Sequence, residues 1–387
     1  MSGSHRRVYL DHHATTPVDP RVLDEMLPYF TEHFGNPSSK GHEYGWTAAS
    51  AVALAREQVA SLIGAAGARE IVFTSGATES DNLAIKGALA AHAADGGHVV
   101  TTALEHSAVL DPCRRLEQQG FHITLVAPDD RGMISAAAIA SAIRPDTRLV
   151  SVMLVNHEIG TIQPIGAIGE ITRGRGILLH CDAAQALGRV PIDVEGMNVD
   201  LLSMSAHKAY GPKGCGALYV RSRRPKVRLV AQIDGGRQER SLRSGTLNVP
   251  GIVGFGKACE ILSQEGERDN ARVMALRERL WQRMSQMIDG IALNGDAVRR
   301  VAGNLNVSFE RVDAARLVSA LHDVAVSNGA ACASGEVAKS SVLLALKFDE
   351  VRIKGALRLG LGRFNTEEEI DHAASRIAAE VRRQRDS

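Results

Sequence analysis

Short apolar runs recur through the first two thirds of the chain: "EIVFTS" (70–75), "HVVTTA" (98–103), "HITLVA" (122–127), "RLVSVMLV" (148–155), "GILLHCD" (176–182), "VDLLSMS" (199–205) and "GALYVR" (216–221). Each is brief and apolar on successive positions, the pattern of a strand buried on both faces. Between them lie stretches with helical spacing, such as "ESDNLAIKGALAAHA" and "ISAAAIASAI". Strands alternating with helices predict an α/β fold, a mainly parallel mixed sheet flanked by helices. After about residue 260 the texture changes. An amphipathic helix, "DNARVMALRERLWQRMSQMI", leads into a strand-like "AGNLNVSFE" and a final helix whose Thr366 and Glu369 form a capping-box pattern. The pattern predicts a large domain over 16–260 and a small α+β domain from 1–15 and 261–387.

Composition narrows the class. With 387 residues, 44% of them apolar, the chain has ample material for a core, and its net charge of +1 attracts neither nucleic acid nor membrane. The basic run "RSRRPKVR" (221–228) reads as a solvated hairpin or loop. "MSGSHRRVYLDHH" has no apolar signal core, and no run approaches the ~18 apolar residues of a membrane span. The five cysteines are odd in number, widely spaced and without a Cys-x-x-Cys pair. That pattern suits a reducing cytoplasm and opposes both a disulfide framework and a structural zinc site.

Three segments carry chemistry. In "SMSAHKAYGPKGCG", Lys208 follows an apolar strand and precedes a Gly-Pro turn. A lysine there either caps a carbonyl or pairs with an acid, or it acts as an amine nucleophile. In "HCDAAQ", Asp182 ends a strand and suits a helix N-cap, a metal ligand or a general base. His180, Cys181 and Asp182 cannot converge on one ion, because consecutive strand residues point to opposite faces. A lysine amine and a strand-end carboxylate are together what pyridoxal phosphate requires. The third segment, "IVFTSGATES", runs from strand through Gly76, Ala77 and Thr78 into a helix, whose N-terminus suits a phosphate. A rival, "GIVGFGKA" (251–258), has Ala258 where a nucleotide loop needs Ser or Thr and no strand directly before it, so it is rejected.

Taken with "YLDHHATTP", "GNPSS", "EHSAV", "NHEIGTIQP", "RSGT", "AACASG" and "GRFNTEEEID", these segments resemble, in order and nearly end to end, the cysteine desulfurases. These are pyridoxal-phosphate enzymes of aminotransferase-like fold. The resemblance implies that Lys208 carries the cofactor and moves the Cα proton, and that Asp182 pairs with its ring nitrogen. Gln185 and Asn156 would bond the ring hydroxyl. His106 would stack on the ring and assist proton transfer. Gly76, Ala77, Thr78, Ser205 and His207 would hold the phosphate, joined by Thr246 of a neighbouring subunit, so a homodimer is expected. Arg358 would clamp the carboxylate of L-cysteine with its bidentate fork. Asn36 and Asn156 would line the substrate pocket.

The resemblance further implies that the Cys332 thiolate attacks the substrate sulfur, leaving alanine and a persulfide on Cys332. Its surroundings, "SNGAACASG" (327–335), hold nothing larger than asparagine and read as a carrier arm of the mobile-loop group. Cys181, Cys215 and Cys259 read as structural, and Cys113, after Pro112, is placed near a helix start. The persulfide would pass to an iron–sulfur scaffold protein, a tRNA-thiolation relay or a partner in DNA phosphorothioation, with no direct nucleic-acid binding here. Alternatives are a related lyase or aminotransferase, for example on selenocysteine, and a non-catalytic binding homologue. The chain departs from the family pattern at Ala330 and Gly360 (often Ser), His157 (usually Asn), and Arg237 and Ser241 (usually Gly).

Overall fold

A computed structural model describes residues 7–92, 96–223, 226–328 and 340–386. Cys332, Ala330 and the "MSGSH" start lie outside the described residues. Seven strands form the central sheet in the order Ile71–Thr74, Gly216–Val220, Leu201–Ser205, Leu178–Asp182, Thr147–Ser151, His98–Thr102, His122–Val126. The last five pair in parallel. Gly216–Val220 runs antiparallel to both of its neighbours, so the sheet is mixed and mainly parallel. One strand departs from the buried pattern. His122–Val126 buries only Val126 fully, because it is an edge strand with a neighbour on one side.

The helix predicted to begin near residue 269 instead runs unbroken from Val249 to Met287. Asn248 caps its start by accepting from Gly251 N, and Pro250 sits in the first turn, where no hydrogen-bond donor is needed. The glycines of "GIVGFGKA" serve close helix packing. A Cβ on Gly256 would fall 2.5 Å from Ala55 Cα, on the neighbouring helix Glu43–Leu62. Cys113 is also relocated. His106 caps the helix Ser107–Glu117, so Pro112 and Cys113 lie well inside it, and Cys113 faces the core with Val109 and Leu116.

Towards the C-terminus, Asn304–Phe309 is the centre of a three-stranded antiparallel sheet, between Ala356–Gly360 and Ile291–Leu293. The closing helix Glu367–Arg385 has the predicted capping box, with Thr366 and Glu369 bonded reciprocally. A separate apolar cluster joins this sheet to both helices through Leu280, Leu305, Leu359 and Ile377, and it also takes in Val8 and Leu10. Val8–Tyr9 pairs in parallel with Val324–Ala325. The chain therefore starts in the C-terminal core, then crosses at residues 11–16 to the ends of the central strands. Among the described residues no helix is long and apolar enough to cross a membrane.

Candidate active site

Lys208 closes the short helical turn Ala206–Lys208 that follows the strand Leu201–Ser205. Its Nζ donates to the carbonyls of His13 and Ala14, at 2.5 and 2.8 Å. The crossing segment is tied to this turn along its length. Thr16 N donates to His207 O at 2.9 Å, and Tyr210 N to Thr16 Oγ1 at 2.9 Å. Arg189 braces both sides, donating from Nη2 to His12 O at 3.0 Å and to Lys208 O at 3.2 Å. Gln185 spans the same gap, its Nε2 donating to His13 O at 2.8 Å.

Asp182 ends its strand with Oδ1 accepting from Ala184 N at 2.8 Å. Burial, and then the neighbouring Asp81, push its carboxyl up to about 7. Two further acids, Asp81 and Glu105, are buried nearby. Asp81 is fully buried, and neither of its carboxylate oxygens has a hydrogen bond among the described residues. His180 Nε2 is 3.4 Å from Asp81 Oδ1 and 3.0 Å from Ser203 Oγ. Glu105, bonded at Oε1 by Thr102 and Met153, is pushed up to about 8 by burial. A buried carboxylate with raised proton affinity and no cationic side chain bonded to it suits a protonated ring nitrogen, so the residues present fit pyridoxal phosphate.

In the segment expected to hold the phosphate, the strand Ile71–Thr74 turns through Ser75 and Gly76 into the helix Ala77–His92. Helix geometry leaves the first amides, those of Ala77 and Thr78, without carbonyl partners in their own helix. Ser205 Oγ lies 3.9 Å from where a side chain on Gly76 would begin. His207 follows Ala206, two residues after Ser205, with Nδ1 3.1 Å from Thr15 Oγ1, and burial lowers its imidazole to about 4. Thr246 is exposed, in the loop before the long helix. In the loop just before it, Arg237 and Ser241 have φ of 62° and 64°, the left-handed region that glycine adopts freely.

Arg358 is buried on the strand Ala356–Gly360. Its Nη2 pairs with Asp11 Oδ1 at 2.9 Å, and Nη1 donates to His157 O at 3.0 Å. Its Nε has no partner among the described residues. The backbone of Arg358 also bridges Ser327, and Ser340 Oγ donates to Glu158 Oε2 at 2.5 Å. His106 meets His157 edge to face, ring centres 5.2 Å apart, while its Nδ1 accepts from Ala108 N. Asn156 shapes the turn beside them. Its Oδ1 accepts from Glu158 N and Ile159 N, and its Nδ2 donates to Leu104 O. Asn36 stands apart, exposed, with Oδ1 bonded to Ser38 N in its own turn.

Several residues in this cluster had no role assigned from sequence: Asp11, His13, Arg189, Asp81 and Glu105. The signals available were slight. "DHH" is an unusual run directly after a short strand, and Arg189 stands four residues after Gln185. The four described cysteines are buried and free, and burial raises each thiol above its ordinary range. Thiols held protonated in this way make poor nucleophiles.

Comparison with known proteins gives a consistent answer. The class-V aminotransferase family model matches residues 8–372. A protein named Cysteine desulfurase IscS, from Anaeromyxobacter dehalogenans (strain 2CP-C), is 55% identical over 98% of this chain and 93% of its own length. A solved structure described as a NifS-like protein superposes with a TM-score of 0.90 at 36% identity, covering 97% of this chain and 99% of that one. Another, described as SspA in complex with cysteine, gives 0.82 at 37% identity, covering 93% and 100%.

Proposed function

Because the chain belongs to the class-V aminotransferase family and, within it, to the cysteine desulfurases, we propose that the cluster around Lys208, Asp182 and Arg358 is where it takes sulfur from L-cysteine. The enzyme is pyridoxal-phosphate dependent, and its substrate is L-cysteine. One observation carries the placement. The segment 11–14 touches both ends of the proposed pocket, giving two carbonyls to Lys208 Nζ and a carboxylate to Arg358.

When bound, pyridoxal phosphate supplies an electron sink for charge developing at the substrate Cα. Lys208 holds the cofactor and moves the Cα proton. Asp182 keeps the ring nitrogen protonated, and the charge formed there relieves the cost of its own burial. Gln185 and Asn156 would serve the ring hydroxyl, and His106 would assist proton transfer. Gly76, Ala77, Thr78, Ser205 and His207 hold the phosphate. Arg358 fixes the substrate carboxylate, so that Cβ and Sγ are presented in one orientation. Cys332 then attacks Sγ: the Cβ–S bond breaks, an S–S bond forms, and the products are L-alanine and a Cys332 persulfide. The anchoring of Ser327 to Arg358 and of Ser340 to Glu158 supports delivery of Cys332 to this pocket, since both flank its segment.

We assign Thr246 and Asn36 to the site through a homodimer, in which each subunit completes the other's pocket. In support, Leu27, Phe30, Phe34, Tyr44, Trp46 and Leu54 are each 52–64% exposed, a concentration of apolar surface that marks an interface. The cluster around the C-terminal sheet supports a separate small domain, with the long helix shared, although the main cluster reaches past 260 to Val301, Val342, Leu343, Leu346 and Ala356. Four free cysteines support a reducing cytoplasm. As acceptor we favour an iron–sulfur scaffold protein over tRNA or DNA thiolation, a reading supported by identity to proteins named IscS. Product analysis tests the reaction: alanine with equimolar protein-bound sulfane sulfur is expected, and pyruvate or free keto acid as the main product opposes it.

A further inference from the structure

His13 is 1% exposed and sits between Lys208 and Arg358, yet one of its two ring nitrogens has no partner among the described residues. Nδ1 lies 2.8 Å from Arg189 Nη1 and 2.9 Å from Gln185 Oε1. Nη1 also donates to Gln185 Oε1 at 2.6 Å, and Gln185 Nε2 donates to His13 O. A guanidinium keeps its hydrogens and offers donors only, so the two atoms that Nη1 meets must both act as acceptors. Those acceptors are Gln185 Oε1 and His13 Nδ1. Burial, and then Arg189 and Arg358, hold the imidazole well below its ordinary range, so it is neutral and carries one proton. With Nδ1 accepting, that proton is on Nε2.

Nε2–H is therefore a buried donor without an acceptor. Its place in the fold indicates where an acceptor belongs. The adjoining ring atom Cδ2 lies 2.9 Å from where a Cβ on Gly360 would stand, so the Cδ2–Nε2 edge faces that strand. Arg358, two residues earlier, shares that face of the strand, and its Nε is a second buried donor without an acceptor. Asp11, which holds Arg358, is two residues before His13. A serine at 360 would crowd this imidazole, and glycine leaves it room. Two buried donors on one side of this strand, both without an acceptor among the described residues, suit an anionic oxygen ligand.

We propose that His13 Nε2 is a second donor to the substrate carboxylate, beside Arg358. The inference rests on the reading of Arg358 as the carboxylate clamp. It makes His13 a specificity-determining residue: an amine without a carboxylate gains nothing from it.

The test uses the cofactor-loaded enzyme with L-alanine and ethylamine, which differ by the carboxylate, followed through the cofactor absorbance. In His13→Asn the side-chain oxygen takes the place of Nδ1 against Arg189, and no donor reaches the Nε2 position. His13→Gln puts an amide N–H where Nε2 was. For His13→Asn the L-alanine dissociation constant rises about tenfold, the scale of one charge-assisted hydrogen bond, with ethylamine binding unchanged. His13→Gln recovers most of the L-alanine affinity. Unchanged L-alanine binding by His13→Asn, or equal weakening of both ligands, overturns the proposal. Arg358→Lys separates it from the reading beneath: if that variant also binds L-alanine normally, the clamp itself is misassigned. Should His13→Asn fail to hold cofactor, ¹⁵N-histidine spectra of the unaltered enzyme decide. Saturating L-alanine moves the His13 Nε2 resonance, and an unmoved resonance overturns the proposal.

Discussion

Arg358 and Asp11 are 347 positions apart in sequence and paired at 2.9 Å between Nη2 and Oδ1. The pair links the C-terminal sheet to the segment that crosses over Lys208. It turns the guanidinium so that Nη1 reaches His157 O and leaves Nε without a partner among the described residues. The arginine is thus oriented before any substrate arrives, which lowers the entropy lost on binding.

Asp11→Asn removes the charge that holds Arg358 and leaves a buried cation with neutral carbonyl acceptors only. The protein loses about 1–3 kcal/mol of stability, measured by denaturant unfolding. KM for L-cysteine rises more than kcat falls, because the arginine is no longer aimed. An unaltered KM would place the substrate carboxylate elsewhere.

Asp182 gives a pH signature in the cofactor-free protein. Its folded value of about 7 lies above the ordinary 3.8, so the folded state binds this proton more tightly than the unfolded chain does. Its contribution is complete below about pH 4 and is lost as pH rises through about 7, at up to ~1.4 kcal/mol per pH unit. Glu105 and Glu158 act with the same sign. Asp182→Asn, which cannot ionise, therefore gains stability over the parent as pH rises from 4 to 7, while its cofactor affinity falls. Unfolding curves of the two cofactor-free proteins at pH 5, 6 and 7 check this.

Gly216→Ala should damage the phosphate cradle without touching a cofactor-binding side chain. The added Cβ would fall 2.5 Å from Gly76 Cα and 2.6 Å from Met204 O, both backbone atoms. The strand pair must shift, and the turn at Gly76 with it. Cofactor retention after gel filtration drops at least about tenfold, while the far-ultraviolet circular dichroism is kept, the cost of one displaced hydrogen-bonding turn.

Phe34→Arg with Trp46→Arg places two charges on the exposed apolar surface. Light scattering should report a monomer in place of a dimer, and the monomer should hold cofactor more weakly for want of Thr246 from its partner. A dimer of unchanged affinity would move the interface to another face.

Sequence carried the local features well. The strand that ends at Asp182, the turn after Thr74 and the capping box at Thr366 each depend on neighbouring residues. Relations across the chain were not legible. The short strand Val8–Tyr9 pairs with residues more than 300 positions away, so nothing nearby shows that residues 11–14 will line the pocket. The glycines of 251–256 lack the serine or threonine of a nucleotide loop, but nothing local shows that they lie in a helix. Glycine disfavours a helix, and it is close packing against Met26 at Gly254 and Ala55 at Gly256 that explains its use here. Asp81 looked like one more polar residue on an amphipathic helix until the sheet buried it. Cys113 was misplaced because proline usually opens a helix rather than interrupting one.

The central claim is that the sulfur of L-cysteine passes to Cys332 at the Lys208 site. Its most direct measurement is peptide mass spectrometry after a single turnover with one equivalent of L-cysteine under non-reducing conditions. The account predicts one added sulfur atom on the Cys332 peptide, matched by one alanine, and none on the peptides of Cys113, Cys181, Cys215 or Cys259. Alanine formed with Cys332 unmodified, or the added sulfur on one of the buried cysteines, would contradict it.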